Sequence, residues 1–165
     1  MWNKISKYFE NYPKRKIIAK KMLEYGLKVK NNKIYCGDIE LSDSKIARSL
    51  NIDRRSVNST IKIINNKKFL STIFSRLKPT CHLKDIAQNL NWGVIEIIPV
   101  DPSKPGILAD VAKIIANEKI CIRQAIVDDF ELLEKPRLFI ITNKAIPNNL
   151  IPKLKKVKGV KSIII

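Results

Sequence analysis

The chain has 165 residues, of which 45% are hydrophobic and 28% charged. This composition supports one or two small packed domains and excludes wholesale disorder. Lys and Arg number 32 against 15 Asp and Glu, a net charge of +17, so a polyanion such as nucleic acid is the first partner to consider.

Residues used in cofactor and metal chemistry are sparse. The five glycines are scattered, which excludes Gly-rich phosphate loops of the Walker or dinucleotide type. His82 is the single histidine, and although Cys81 precedes it, no other ligand lies at metal-binding spacing. Three cysteines without a Cys-x-x-Cys pair, and no apolar run of signal or membrane length, predict a reduced cytoplasmic protein. We expect no metal and no cofactor.

The first half carries the positive charge. Residues 1–90 hold 20 Lys and Arg against 7 Asp and Glu, whereas residues 91–165 hold 12 against 8. Helical spacing of Ile18, Met22 and Tyr25 predicts a helix over residues 14–25, with Pro13 in its first turn and Gly26 at its end. Asn31-Asn32 lies between two short β-rich segments and predicts the tip of a hairpin or wing.

A helix-turn-helix unit is predicted next. Ser42 or Asp43 can cap a short helix that turns Ile46, Ala47 and Leu50 inward, and residues 51–53 break it. Asp53 can cap a second helix over residues 54–65, whose buried stripe would be Val57, Ile61 and Ile64. Two helices joined by about three residues are typical of this motif.

The face opposite that stripe is polar and basic, and it suits base edges and phosphates in the major groove of double-stranded DNA. A solvated face on a small bundle, or a protein-docking module, is the alternative. The candidate DNA-binding residues are Arg54, Arg55, Ser56, Asn58, Ser59 and Lys62.

Residues 67–92 are interpreted as a helical connector, and residues 93–165 alternate between strand and helix patterns. Strands are predicted over 94–100, 121–128, 137–142 and 160–165, and helices over 107–118 and 148–157, the order βαββαβ. The strands are apolar on both faces, whereas two helices cover only one face of a four-stranded sheet. We therefore expect a homodimer or higher homo-oligomer.

The loop Asp101-Pro102-Ser103-Lys104-Pro105-Gly106-Ile107-Leu108 resembles the signature loop of ACT domains, small modules that bind amino acids. Residues 117–123 resemble the helix-to-strand turn of that family. The resemblance implies that the amides around Gly106 hold a ligand carboxylate, with Asp101 or Asn117 for the ammonium group. Ile122 of a neighbouring subunit would line the site. The candidate ligand-binding residues are Asp101, Pro105, Gly106, Ile107, Leu108, Asn117 and Ile122.

The whole chain is similar to an archaeal family of predicted regulators of amino-acid metabolism. The residues that carry this are 34–40 (Ile-Tyr-Cys-Gly-Asp-Ile-Glu), 53–55 (Asp-Arg-Arg) and 92–97 (Trp-Gly-Val-Ile-Glu-Ile). The resemblance implies an α+β chain: a winged-type helix-turn-helix domain over residues 1–66, a connector over 67–92 and a ferredoxin-like ACT domain over 93–165.

The sequence-based prediction is a ligand-responsive transcriptional regulator with no catalytic activity. One rival is a regulatory subunit that docks on a biosynthetic enzyme and never touches DNA. An RNA-binding βαββαβ domain is disfavoured because Phe139 is the lone aromatic residue of the strands. The acidic residues 128–134 are interpreted as a solvated turn rather than as a catalytic carboxylate pair.

Overall fold

The computed structural model describes residues 1–165, which divide into two compact units, Met1–Cys81 and His82–Ile165. The chain is α+β. The helices are α1 (Trp2–Ser6), α2 (Pro13–Glu24), α3 (Asp43–Ser49), α4 (Arg54–Asn66), α5 (Lys68–Phe74), α6 (Lys84–Ala87), α7 (Ile107–Asn117) and α8 (Ile151–Lys155). The strands are β1 (Lys28–Lys30), β2 (Lys33–Cys36), β3 (Ile39–Leu41), β4 (Gly93–Pro99), β5 (Ile122–Val127), β6 (Leu138–Thr142) and β7 (Val160–Ile164). Short 3-10 turns occupy Lys7–Phe9, Gln88–Leu90 and Asn148–Leu150. No helix combines the length and the apolar character that crossing a bilayer requires.

The first unit packs helices against a small antiparallel sheet of order β1-β2-β3. The predicted hairpin tip is confirmed: Asn31 and Asn32 join β1 to β2, both with positive φ, as a type I′ turn requires. The third strand, β3, pairs with β2 and was not predicted. The core is built from aliphatic and aromatic side chains of the helices, the first 3-10 turn and the sheet, and its largest fully buried members are Ile5, Phe9, Ile18, Met22, Ile34, Ile64, Leu70 and Phe74.

The two predicted helices α3 and α4 pack against each other, joined by Leu50–Asp53. Val57, Ile61 and Ile64 are buried as the spacing predicts, and Thr60 joins their stripe, its hydroxyl donating to the Ser56 carbonyl at 2.8 Å. Ala47 is 5% exposed. Ala47 therefore lies on the inner side of α3, as predicted.

The first part of the predicted connector belongs to this unit. Helix α5 packs on α4 and β1, which buries Leu70 and Phe74. The chain then passes over Gly26, where a Cβ atom would lie 2.3 Å from the Lys78 carbonyl oxygen. Gly26 thus ends α2 and also makes room for the backbone of Lys78 and Pro79.

The second unit is a four-stranded antiparallel sheet of order β5-β6-β4-β7. The predicted sequence of strands and helices over residues 93–165 is confirmed. Helices α7 and α8 cover one face, and the core between them and the sheet consists of Ile95, Ile97, Ile107, Val111, Ile115, Ile120, Leu138, Ile140, Ile146, Leu150, Leu154 and Val157.

The other face of the sheet is partly covered by the chain itself. Helix α6, from the second part of the predicted connector, packs on β4 and β6. The His82 ring meets the Phe139 ring edge-on at 4.8 Å, and the Leu83 amide donates to the Gln124 side-chain oxygen at 2.9 Å. The predicted connector is thus divided between the two units.

Candidate nucleic-acid interface and ligand cavity

The outer face of α4 gathers most of the predicted DNA-binding residues. Arg55, Ser59 and Lys62 follow one another at i, i+4 and i+7 and lie opposite the buried stripe, with Arg54 and Asn58 beside them. Both arginines and Lys62 are exposed, and none of the three makes an ion pair within the chain. Their charged groups are therefore available to an external anion.

Ser56 has a different role from its predicted neighbours. Its amide donates to Asp53 Oδ1 at 2.8 Å and its hydroxyl donates to Asp53 Oδ2 at 2.9 Å, so both groups are used within the N-terminal cap of α4. These two hydrogen bonds, together with Lys14 Nζ at 3.3 Å, lower the pKa of Asp53 to about 2. Asp53 stays ionised, but its charge is directed into the helix terminus and toward Lys14.

The hairpin tip is fixed beside the far end of α4. Asn65 Nδ2 donates to Asn32 Oδ1 at 2.6 Å. Two lysines of the hairpin are neutralised locally, Lys28 by Asp38 at 3.0 Å and Lys33 by Glu40 at 2.8 Å. The contact between Asn32 and Asn65 was not found from the sequence, because nothing local relates two asparagines that far apart.

The first unit as a whole is strongly basic. Residues 1–81 carry 19 Lys and Arg against 6 Asp and Glu, a net charge of +13. A field of this sign concentrates polyanions near the surface and speeds their association.

The loop before α7 borders a cavity of about 200 Å³ in the second unit. Gly106 precedes the helix with φ of +104°, a backbone conformation that favours glycine. The predicted residues Pro105, Gly106, Ile107 and Leu108 all line the cavity. The lining is mainly apolar and is completed by Ile97, Pro99, Pro102, Lys104, Val127, Asp128, Pro136, Arg137 and Leu138. A Cβ atom at Gly106 would meet nothing within 4 Å, so the space beside this residue is open within the chain.

Three predicted ligand-binding residues lie outside this cavity. Asp101 Oδ1 accepts hydrogen bonds from the Ser103 amide at 2.9 Å and the Ser103 hydroxyl at 2.7 Å, which closes the loop. Asn117 is the last residue of α7, about 16 Å along the helix from Gly106. Ile122 pairs with Thr142 at one end of β5, whereas the cavity residue Val127 lies at the other end. Within one chain these three residues are not brought together.

Sequence reasoning missed the two ends of the acidic turn. The Asp128 amide donates to the Arg137 carbonyl at 2.9 Å, and the Arg137 amide donates to Asp128 Oδ2 at 3.0 Å. Both residues line the cavity. Inside the turn, Asp129 Oδ1 accepts from the amides of Glu131 and Leu132. These carboxylates accept hydrogen bonds from backbone amides and so order the turn. The sequence offered one indication that the two ends of the turn lie close together, namely that the turn connects two predicted strands.

A buried carboxylate holds α6 to the sheet. Glu96 on β4 is 5% exposed and forms ion pairs with Lys84 of α6 and Arg137. Burial alone would raise the pKa of Glu96, but the hydrogen bonds from Lys84 and Arg137 outweigh it and hold the pKa below its ordinary value. Glu96 is therefore ionised and fully paired.

No protein-family model matches this chain, and no curated protein is significantly similar to it in sequence.

Proposed function

We propose that this chain is a ligand-responsive regulator that binds double-stranded DNA through α4 and senses a small amino acid in its second unit. The first unit would be a winged-type helix-turn-helix domain, with the β1–β2 hairpin as wing. The second would be a ferredoxin-like ACT domain.

The observation that carries the DNA-binding proposal is the outer face of α4. It presents Arg55, Ser59 and Lys62 in one row while the opposite stripe is buried, and no acidic partner engages its cations. An α-helix fits the major groove, where arginine reads guanine edges and lysine meets phosphates. The basic field of this unit supports the same partner.

The cavity supports the ligand part of the proposal. Backbone amides at the first turn of α7 have no helical acceptor and can hold a carboxylate. Ile97, Val127 and Leu138 form an apolar lining that suits a small aliphatic side chain. The strand order β5-β6-β4-β7, with both helices on one face, supports the assignment of a ferredoxin-like domain.

The proposal is tested by measuring duplex binding with fluorescence anisotropy. A pool of duplex sequences is used first, and the preferred sequence selected from that pool is then titrated. We expect Arg55→Ala to weaken the selected sequence by about 1–3 kcal/mol, and Lys62→Ala to weaken all sequences alike and reduce the salt dependence. Lys113→Ala, an exposed lysine on α7, is the matched control and should change neither.

The same titration with each of the twenty amino acids tests ligand response. We expect a coupling free energy of about 1–3 kcal/mol between effector binding and DNA binding. Gly106→Asp should remove this coupling, because the new side-chain carboxylate would occupy the position proposed for the carboxylate of the ligand. Absence of duplex binding even at low salt would contradict the proposal and favour the rival, a regulatory subunit that docks on a biosynthetic enzyme.

A further inference from the structure

Two aromatic rings, one from the turn Lys7–Phe9 and one from α5, are stacked on the surface of the first unit. Tyr8 and Phe69 lie with ring centroids 5.9 Å apart and planes 21° apart, and they are 38% and 43% exposed. We call them the aromatic pair. With Lys4 and Lys7 they line a shallow depression of about 450 Å³.

The sequence around each ring explains why the rings stay outside. Trp2, Ile5 and Phe9 are buried and anchor the N-terminal helix and turn, so that Tyr8 is directed outward. Leu70 is buried at the start of α5, and its neighbour Phe69 is exposed. Both rings are thus held by anchored neighbours and are preorganised, which lowers the entropy lost when a third ring stacks on them.

The charge beside the aromatic pair is of one sign. Lys4 and Lys7 make no ion pair within the chain, and no residue lining the depression is acidic. Lys67 and Lys68, immediately before Phe69, are exposed as well. The surface therefore offers planar apolar faces next to free ammonium groups.

We propose that the aromatic pair and its lysines form a binding site for single-stranded nucleic acid, with an unpaired base stacked on the outer face of a ring and phosphates on Lys4 and Lys7. Flat rings with adjacent cations are the recognition elements of single-strand binders. A paired base is already stacked between its neighbours in a duplex and cannot reach such a ring. The site is thus distinct from the duplex-reading face proposed for α4, and it does not depend on that proposal.

The experiment measures binding of the full-length protein to fluorescent oligonucleotides of about 12 units, within the site sizes of known single-strand binders. A thymidine strand is compared with an abasic strand of the same length and charge. We expect tighter binding of the thymidine strand. Tyr8→Leu and Phe69→Leu should each weaken it by roughly 5- to 150-fold while leaving the abasic strand unchanged.

Controls separate stacking from apolar contact and from charge. Tyr8→Phe keeps the ring and should retain binding, whereas Lys4→Gln should weaken both strands and reduce the salt dependence. Phe130→Leu removes an exposed aromatic residue of the second unit and should have no effect. Thermal unfolding confirms that each variant is folded.

Three results would overturn the proposal. Equal affinity for the thymidine and abasic strands would show attraction by charge alone. Unchanged binding by both leucine variants would show that the rings are not used. Weakening of duplex binding by Tyr8→Leu, with the thymidine strand unaffected, would assign the aromatic pair to the duplex-binding surface. Arg55→Ala keeps the two proposals apart, because it should weaken duplex binding and leave the thymidine strand unaffected.

Discussion

Asp53 caps the N-terminus of α4 and also links this helix to α2. Its carboxylate accepts both the amide and the hydroxyl hydrogen of Ser56, and Lys14 reaches it from α2. A negative group at a helix N-terminus also interacts favourably with the helix dipole. The orientation of the proposed reading helix therefore depends on an acidic residue in a basic unit.

Replacing Asp53 tests the cap and its pH dependence. Because the folded pKa of about 2 lies below the ordinary value of 3.8, the ionised cap stabilises the fold above pH 4, and this stabilisation is lost as the pH falls toward 2. Asp53→Ala should lower the melting temperature at neutral pH. Asp53→Asn keeps the acceptor and should be closer to the parent protein, with a flatter pH profile between 4 and 2. Melting curves of the three proteins across that range check this, and an identical profile for Asp53→Asn would contradict it.

Gly26 and Gly37 share a backbone conformation but differ in their surroundings. Their φ values are +61° and +60°. A Cβ atom at Gly26 would meet the backbone of Lys78 and Pro79 at 2.3–2.8 Å, whereas at Gly37 it would meet nothing within 4 Å. Substitutions at these two glycines therefore distinguish the effect of steric overlap from the effect of backbone strain.

Alanine at the two positions should give unequal losses of stability. Gly37→Ala should cost about 1 kcal/mol, the price of a left-handed conformation alone. Gly26→Ala should cost about 1–3 kcal/mol more, because backbone must move. Urea denaturation of both variants measures the difference, and equal free energies of unfolding would show that residues 78–79 adapt freely.

At the scale of elements, α6 depends on a few contacts for its position. It has only four residues, so its intrinsic helical stability is negligible. The Lys84 side chain pairs with buried Glu96 and lies 5.4 Å from the centre of the Phe139 ring. We infer that these contacts hold residues 82–92 on the sheet.

Lys84→Met should loosen α6 while the sheet stays folded. Glu96 keeps Arg137 as a partner, and solvent screens the Lys84 side chain, which is 34% exposed. The expected loss of stabilisation is therefore only about 1 kcal/mol, which corresponds to a roughly fivefold increase in local opening of α6. Hydrogen exchange of residues 84–90 measures it. Lys153→Met, which removes an exposed ion pair with Glu118, is the matched control and should change local exchange little.

At the scale of the whole molecule, the contacts divide the chain after Cys81 rather than at residues 66 and 92. Residues 82–92 bury part of the sheet face that the sequence left uncovered, yet several apolar side chains remain exposed on the second unit. These are Ile86, Leu90, Val100, Leu108, Val127, Phe130, Ile164 and Ile165. Apolar surface of this kind favours self-association, so the expected homodimer remains a prediction.

Fragments test both the boundary and the assembly. Residues 82–165 should fold, and at micromolar concentration they should sediment as a two-fold dimer, which would favour a pseudo-palindromic DNA site. Residues 93–165 lack α6 and should melt at lower temperature or aggregate, because the face beneath it becomes exposed. A monomer for residues 82–165 would remove the support for dimerisation, and equal melting temperatures would show that α6 adds nothing to the fold.

Features that depend on near neighbours along the chain could be predicted from the amino-acid sequence. Helical spacing located α4 and its buried stripe, Asp53 marked its start, and the alternating second half gave the order of strands and helices. The same periodicity identified the row from Arg55 to Lys62. Such features follow from backbone geometry over a few residues, which a sequence displays directly.

Tertiary packing alone sets which distant segments meet. It brought Lys84 onto Glu96, placed the Lys78 backbone over Gly26, and set Tyr8 against Phe69. It also placed Asn117 and Ile122 outside the cavity beside Gly106. These outcomes depend on close packing of surfaces contributed by remote parts of the chain, and no local pattern records which surfaces those will be.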